Sequence, residues 1–369
     1  MTAQTSSPSP VLAAGSTAVL PAEGPAPPRV SPTVAGLAAV APERRFDQDE
    51  LLDLLGLADD EFAQRIFARC GIRNRHLELT PELLRTTLQA RAGRTEDHLF
   101  ELAVAALEQI EFDPAEVGVL VTGSFWTLGG PTLGHRLIEH LGLPTDVDKY
   151  HLVGLGCASS VPLFRAATSA LGDRPDETAL VVAAESLSGL LTWAGPGAER
   201  GKIVASALFG DGCGAALLHP DGAAAGPTIL ASAVHQVPDT LGHVELLATA
   251  DDSQVRISPE LPRIAESGLL PLVDSFLAGA GLTVGDVEHW LVHPGGRGIV
   301  DGVQAGLDLA DEVVAPSRAV LAEYGNVGTP SAFFVFEEVV RQRSPRAGDH
   351  GLVVTIGPGV TVGLLLLRW

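Results

Sequence analysis

The sequence predicts an α/β protein made of two α/β halves. Short runs rich in aliphatic and β-branched residues alternate with amphipathic helical stretches, most strand runs are apolar on both faces, and 369 residues with 46% hydrophobic content can bury a sizeable core. Strands are expected at Val117–Ser124 (VGVLVTGS), Thr178–Ser186 (TALVVAAES), Gly214–His219 (GAALLH), His289–Pro294 (HWLVHP) and Gly351–Gly357 (GLVVTIG). The late run TVGLLLLRW is strand-sized and far short of the roughly 18–20 residues that cross a bilayer. Helical periodicity is clearest in Glu61–Arg69, in His98–Ile110 and in Ser331–Arg341. A break at His219–Gly226 (HPDGAAAG) divides the ordered chain into a first half, 29–219, and a second half, 220–369. A site is expected between the halves.

Residues 1–28 are rich in Ala, Pro and Ser and contain no Lys or Arg. They lack the positive segment of a secretory signal and are expected to form a flexible tail. The balance of 24 basic against 45 acidic residues, a net charge of −21, opposes nucleic acid and anionic membranes as partners. Cys70, Cys157 and Cys213 lie far apart, with no Cys-x-x-Cys and no His at ligand spacing, so neither disulfides nor a metal site is expected. A reduced, cytoplasmic setting fits this pattern.

Three residues stand where strands end. Cys157 lies in GLGCASS, ahead of a helix-like run. A cysteine at such a turn gains thiolate character from the helix N-terminus, while the plainer alternative is a small buried hydrophobe. His293, in WLVHPGGRG, is either a base or donor projecting into a cleft or a cap on the strand end. Asn326, in EYGNVGTPS, is either a turn residue or an amide offered to an oxyanion. Together they form a nucleophile, a base and a neutral donor, the set that carbonyl chemistry on a thioester requires. Cys, His, Asn is also the order in papain-like proteases, but the local cysteine signature of that class is missing here.

One segment is basic in this acidic chain. Gln64–His76 holds Arg65, Arg69, Arg73 and Arg75. Arg65 and Arg69 share a helix face and could grip phosphate, or could pair with Asp59, Asp60 and Glu61. No P-loop or dinucleotide fingerprint accompanies them.

The stretches WLVHPGGRGIVD (290–301), AVLAEYGNVGTPSAFFVFEE (319–338) and TIGPGVTV (355–362), with LFGDG (208–212) and GC (156–157), resemble type III polyketide synthases of the chalcone synthase-like family. The resemblance runs from about Pro28 to Trp369. It implies a thiolase fold, two similar α/β halves in a five-layered αβαβα sandwich, acting as a homodimer on acyl-CoA and malonyl-CoA without a metal or other cofactor. It implies that Cys157 carries the acyl group and that His293 and Asn326 activate the thiolate and stabilise the enolate. Phe209 matches a gatekeeper, Arg65 and Arg69 match positions that bind CoA phosphates, and Gly357, Pro358 and Gly359 match a loop under the cavity. A third basic position is filled by Phe62. Phe125, Trp126 and Trp193 fall at cavity positions, Val255 at that of a second gatekeeper, and Ala158-Ser159-Ser160 departs from the family's usual residues after the cysteine. The alternatives are a ketoacyl-ACP synthase III-like single condensation, which favours HQAN over HPGG, and a thiolase-fold acyltransferase. An acyl carrier protein is a conceivable deliverer of extender units.

Overall fold

The computed structural model describes residues 30–125, 129–220 and 224–369. The predicted tail and Trp126 lie outside the described residues. The strands are β1 (Thr33–Val40), β2 (Arg45–Asp47), β3 (Asn74–His76), β4 (Val117–Ser124), β5 (Asp148–Val153), β6 (Thr178–Glu185) and β7 (Gly212–His219), followed by β8 (Thr228–Gln236), β9 (Val244–Ala248), β10 (Ser253–Ile257), β11 (His289–Val292), β12 (His350–Gly357) and β13 (Thr361–Arg368). The predicted strand segments therefore form, with ends moved by at most a residue or two.

The unbroken apolar character of these strands follows from burial on both faces. Along β6, Ala179, Val181 and Ala183 face a central core while Leu180, Val182 and Ala184 face an outer one. Along β12, Val353 faces the central core while Leu352, Val354 and Ile356 face the opposite outer core.

Nine strands run in the order β5-β4-β6-β7-β1-β8-β13-β12-β11. The two half-sheets meet at β1 and β8 through the pair Thr33↔Thr228, flanked by main-chain bonds from Val34 N–H to Pro227 O and from Ile229 N–H to Pro32 O, each 2.9 Å. In the first half β4 and β6 are parallel, and β6-β7 and β7-β1 are antiparallel. In the second half β11 and β12 are parallel, and β12-β13 and β13-β8 are antiparallel. The halves thus repeat one topology, which no repeat in the sequence announces. Strand β5 has no counterpart in the second half among the described residues.

Helices complete five layers. Leu88–Leu107 and Leu133–Leu141 cover the outer face of the first half-sheet, and Leu261–Gly279 and Arg297–Gly306 that of the second. Between the sheets lie Ser160–Leu171 and Ser331–Arg343, in contact through the Phe164 and Phe333 rings, stacked at 5.3 Å. The architecture is the αβαβα sandwich. The helix Glu61–Arg69 forms as predicted because Asp60 accepts the Ala63 N–H at 2.8 Å and caps it. The helix expected at His98–Ile110 instead spans Leu88–Leu107; its first half, LQARAGRTED, is polar and escaped the apolar periodicity. No described helix is long and apolar enough to cross a membrane.

Candidate active site

Strand direction brings several chain ends to one place. Phe125 follows β4, the turn holding Cys157 follows β5, Glu185 ends β6, His293 follows β11, and Gly357-Pro358 closes β12. Parallel neighbours deliver their C-terminal ends together, the usual place for a ligand in open α/β sheets.

The turn holding Cys157 is a short 3-10 segment, Gly156–Ala158, followed by the helix Ser160–Leu171. Gly156 has φ +58°, and a Cβ there would stand 3.0 Å from Phe125 and Pro358, so only glycine suits this corner. Ser159 donates to Gly156 O at 2.6 Å, and Ser160 donates to Thr329 O at 2.6 Å. The unusual serines after the cysteine therefore close the turn and fasten its helix to the loop of Asn326. Pro162 enters the first helical turn, where its missing N–H has no helical partner to lose.

Cys157 Sγ lies 3.5 Å from Asn326 Nδ2 and 3.6 Å from Oδ1. The amide is oriented by its other bonds: Oδ1 accepts the Gly328 N–H at 2.9 Å and Nδ2 donates to Gly295 O at 3.3 Å. Burial pushes the thiol up to about 11, partly offset by the Asn326 hydrogen bond. The thiolate character expected from the helix start is corrected here: desolvation dominates and raises the thiol pKa. His293 is 1% exposed, and neither ring nitrogen has a partner among the described residues. Burial holds its pKa down to about 3, so the imidazole is neutral. A buried ring with both nitrogens unpaired is poised for a ligand.

These three side chains line a pocket of about 750 Å³, part of it open to solvent. Phe125, Phe209, Val255, Gly357 and Pro358 line it as well. Phe209 is held against Asn326 by a local β-bridge: Asn326 N–H donates to Leu208 O at 2.8 Å and Gly210 N–H to Asn326 O at 3.0 Å. Asp211 of the same motif is buried and accepts the Ser188 N–H and hydroxyl at 2.7 and 2.6 Å. The LFGDG motif thus anchors Phe209 at the pocket wall.

Other expected residues lie elsewhere. Trp193 does not line the pocket; it is 39% exposed, packs over Gly56 and Gly195, and has the Arg85 guanidinium 5.3 Å from its ring. Gly359 sits in the β12-β13 turn beyond the lining, its carbonyl accepting the Thr240 hydroxyl at 2.9 Å. Trp126 lies outside the described residues. Arg65 and Arg69 are exposed on their helix, away from the pocket lining, and neither pairs with Asp59, Asp60 or Glu61 among the described residues. Arg75 leaves the basic face altogether: it is fully buried, donates to Gln48 and Ser206 O, and burial lowers its pKa to about 9. The Arg200 guanidinium lies 5.0 Å from the Phe62 ring.

Two features escaped sequence reasoning. The β9-β10 hairpin, a separate small sheet, walls the pocket with Val244, Leu246 and Ile257; its short, mixed strands carry weak signals. Glu185, inside an apolar strand run, is fully buried beside the nucleophile. A carboxylate at the end of VVAA was the available signal.

Family models match both halves: "FAE1/Type III polyketide synthase-like protein" over residues 39–229 and "Chalcone and stilbene synthases, C-terminal domain" over 228–369. The chain is 30% identical to 3,5-dihydroxyphenylacetyl-CoA synthase of Streptomyces toyocaensis over 98% of this chain and 95% of that one. It is 30% identical to 1,3,6,8-tetrahydroxynaphthalene synthase of Streptomyces peucetius subsp. caesius, over 91% and 93%. The crystal structure of PKS-I from the brown alga Ectocarpus siliculosus superposes with TM-score 0.83 at 26% identity, covering 92% of this chain and 98% of that one.

Proposed function

The chain belongs to the type III polyketide synthase family, with the thiolase fold, and from that premise we propose how its own residues carry out decarboxylative condensation. An acyl group from an acyl-CoA starter is transferred to Cys157 Sγ, with CoA leaving as thiol. Malonyl-CoA then loses CO₂: the bond to its carboxylate breaks and the electron pair becomes an enolate. The enolate carbon attacks the Cys157 thioester carbonyl, the new C–C bond forms, and sulfur leaves as thiolate. The elongated chain, now on CoA, can return to Cys157 before release or cyclisation.

His293 and Asn326 serve as neutral donors. A thioester α-carbon is a weak acid, but decarboxylation makes the enolate without a strong base, so donors aimed at the developing oxyanion suffice. An uncharged imidazole and an amide oriented by Gly295 and Gly328 meet that need. On this reading the enzyme needs no metal or redox cofactor. The observation that carries the assignment is the convergence of Cys157, Asn326 and a His293 unpartnered among the described residues in one pocket.

The pocket also favours a substrate class. Apart from Cys157, Glu245, His293 and Asn326, its lining is apolar or glycine. An apolar starter acyl group fits such walls, because burying a polar one without partners costs several kcal/mol. Arg65 and Arg69, with Arg200 above Phe62, are proposed to hold CoA phosphates at the surface. A homodimer is proposed through the outer edge of β5, where Tyr150, Val153 and Leu155 are 43%, 44% and 41% exposed beside unpaired backbone. The expected setting is the cytoplasm.

Incubation with labelled malonyl-CoA and a panel of aliphatic and aromatic starter-CoAs, followed by mass spectrometry, tests the reading. Release of CO₂ with products extended by two-carbon units supports it; simple ester or amide products without CO₂ release would overturn it.

A further inference from the structure

The buried carboxyl beside the nucleophile has no part in the scheme above. Glu185 is completely shielded from solvent. Its oxygens accept the Phe125 N–H at 2.8 Å and the Thr329 hydroxyl, with the Thr329 N–H at 3.4 Å and the Ser124 hydroxyl at 3.5 Å. No cation is among the groups that perturb it, and burial pushes its pKa up to about 7. A carboxylate this deep, held by neutral donors, weakens the folded state. Chains tend to retain such groups where a site needs them.

Its neighbours are the parts on which the site depends. Phe125 itself lines the pocket. Thr329 belongs to the loop that begins at Asn326; its hydroxyl also lies 3.3 Å from Gly156 O, and its carbonyl receives the Ser160 hydroxyl. Gly328 packs so closely that a Cβ there would stand 3.1 Å from Glu185 Cγ. Through these contacts one carboxyl joins the end of β4, the nucleophile turn and the Asn326 loop. Its charge also reaches the sulfur and adds to the upward shift of the Cys157 thiol.

We propose that Glu185 is a positioning residue: it clamps the Asn326 loop to the nucleophile turn and places a negative charge behind the Cys157 thiol. This assignment takes Cys157 as the nucleophile and so rests on the reading above. The consequence is chemical as well as structural. Above about pH 7, where the Glu185 carboxyl is ionised, a negative neighbour disfavours a second negative charge, so the idle sulfur stays a thiol and resists stray alkylation. The thiolate, once formed against that field, is intrinsically more nucleophilic, since nucleophilicity rises with thiol pKa.

Two variants separate clamp from charge. Glu185→Gln keeps the shape and an acceptor and removes the charge; Glu185→Ala removes both. The full chain is treated with iodoacetamide across a pH series, and alkylation of the peptide carrying Cys157 is followed by mass spectrometry, which distinguishes it from Cys70. The Gln variant should show its profile displaced to lower pH, with alkylation at fixed pH faster by about threefold, the factor carried by half a pKa unit. The Ala variant should lose kcat by a further order of magnitude, roughly the cost of one misplaced donor, with KM for malonyl-CoA little changed. An unchanged alkylation profile in a folded Gln variant overturns the charge role. Equal kcat in the Gln and Ala variants overturns the clamp. If the Ala variant does not fold, Thr329→Val removes the hydroxyl contact alone and is read by the same kcat comparison. Alkylation needs no substrate, so this result stands or falls separately from the polyketide reading.

Discussion

The two halves share a strand order and differ at one edge. The first half carries β5 beyond β4, and the turn after β5 holds Cys157. The second half stops at β11, whose end releases His293, while Asn326 comes from the loop ahead of the central helix Ser331–Arg343. One copy of the topology thus carries the proposed nucleophile and the other the proposed neutral donors. A duplicated scaffold becomes an enzyme by differing where its strands end, because those ends face each other across the shared inner layer. The cross-links are specific: Asn326 to Cys157, Ser160 to Thr329, and the bridge between Phe209 and Asn326.

That division of labour can be broken experimentally. The largest expected effect is from Cys157→Ala: no acyl-enzyme in the intact mass spectrum and no product. Asn326→Ala should still form the acyl-enzyme while CO₂ release falls by about 10²–10³-fold, the usual cost of an oxyanion donor. Loss of acyl-enzyme in that variant as complete as in the cysteine variant would abolish the distinction between the halves.

A change of pH, read as the difference between the wild type and a His293 variant, addresses one residue of the second half. The folded pKa of His293 lies near 3, below the ordinary 6.5 of an unfolded chain. The unfolded state therefore binds the extra proton first, and this residue's contribution to stability is lost as pH falls below about 6.5. His293→Gln has no such group, so the thermal midpoint of the wild type should drop relative to that variant as buffer is moved from pH 7.5 to 5. A constant gap would show that His293 is not buried in its neutral form.

Smaller effects sharpen the picture at the surface and at the seam. Replacing both Arg65 and Arg69 with Ala should raise KM for acyl-CoA by about tenfold with kcat nearly unchanged, the size of one lost charge-assisted hydrogen bond. Ser160→Ala removes a single link between the halves and should cost about 1 kcal/mol, a shift of a few degrees in Tm. A larger loss of kcat than of Tm would mean that the link also orders Asn326.

Much of this was legible along the chain. Apolar strands of the right length marked both buried sheets, since a strand covered on two faces has no polar alternation to display. Cys157, His293 and Asn326 stood out because Gly- and Pro-rich joins locate strand ends, and strand ends are where sites form. Trp193 was misplaced because a large aromatic near a motif looks the same whether it faces a cavity or folds back over Gly56 and Gly195. Glu185 was passed over because its partners, Phe125 and Thr329, are remote in sequence. Arg200 above Phe62 went unseen for the same reason.

Local sequence thus marked the strands, the family and the three side chains that meet in the pocket, because periodicity, glycine corners and short motifs are properties of neighbouring residues. Which aromatics wall the pocket, how the thiol is protonated and what fastens one half to the other were settled by the fold alone, because desolvation and long-range hydrogen bonds exist only once distant segments are packed together.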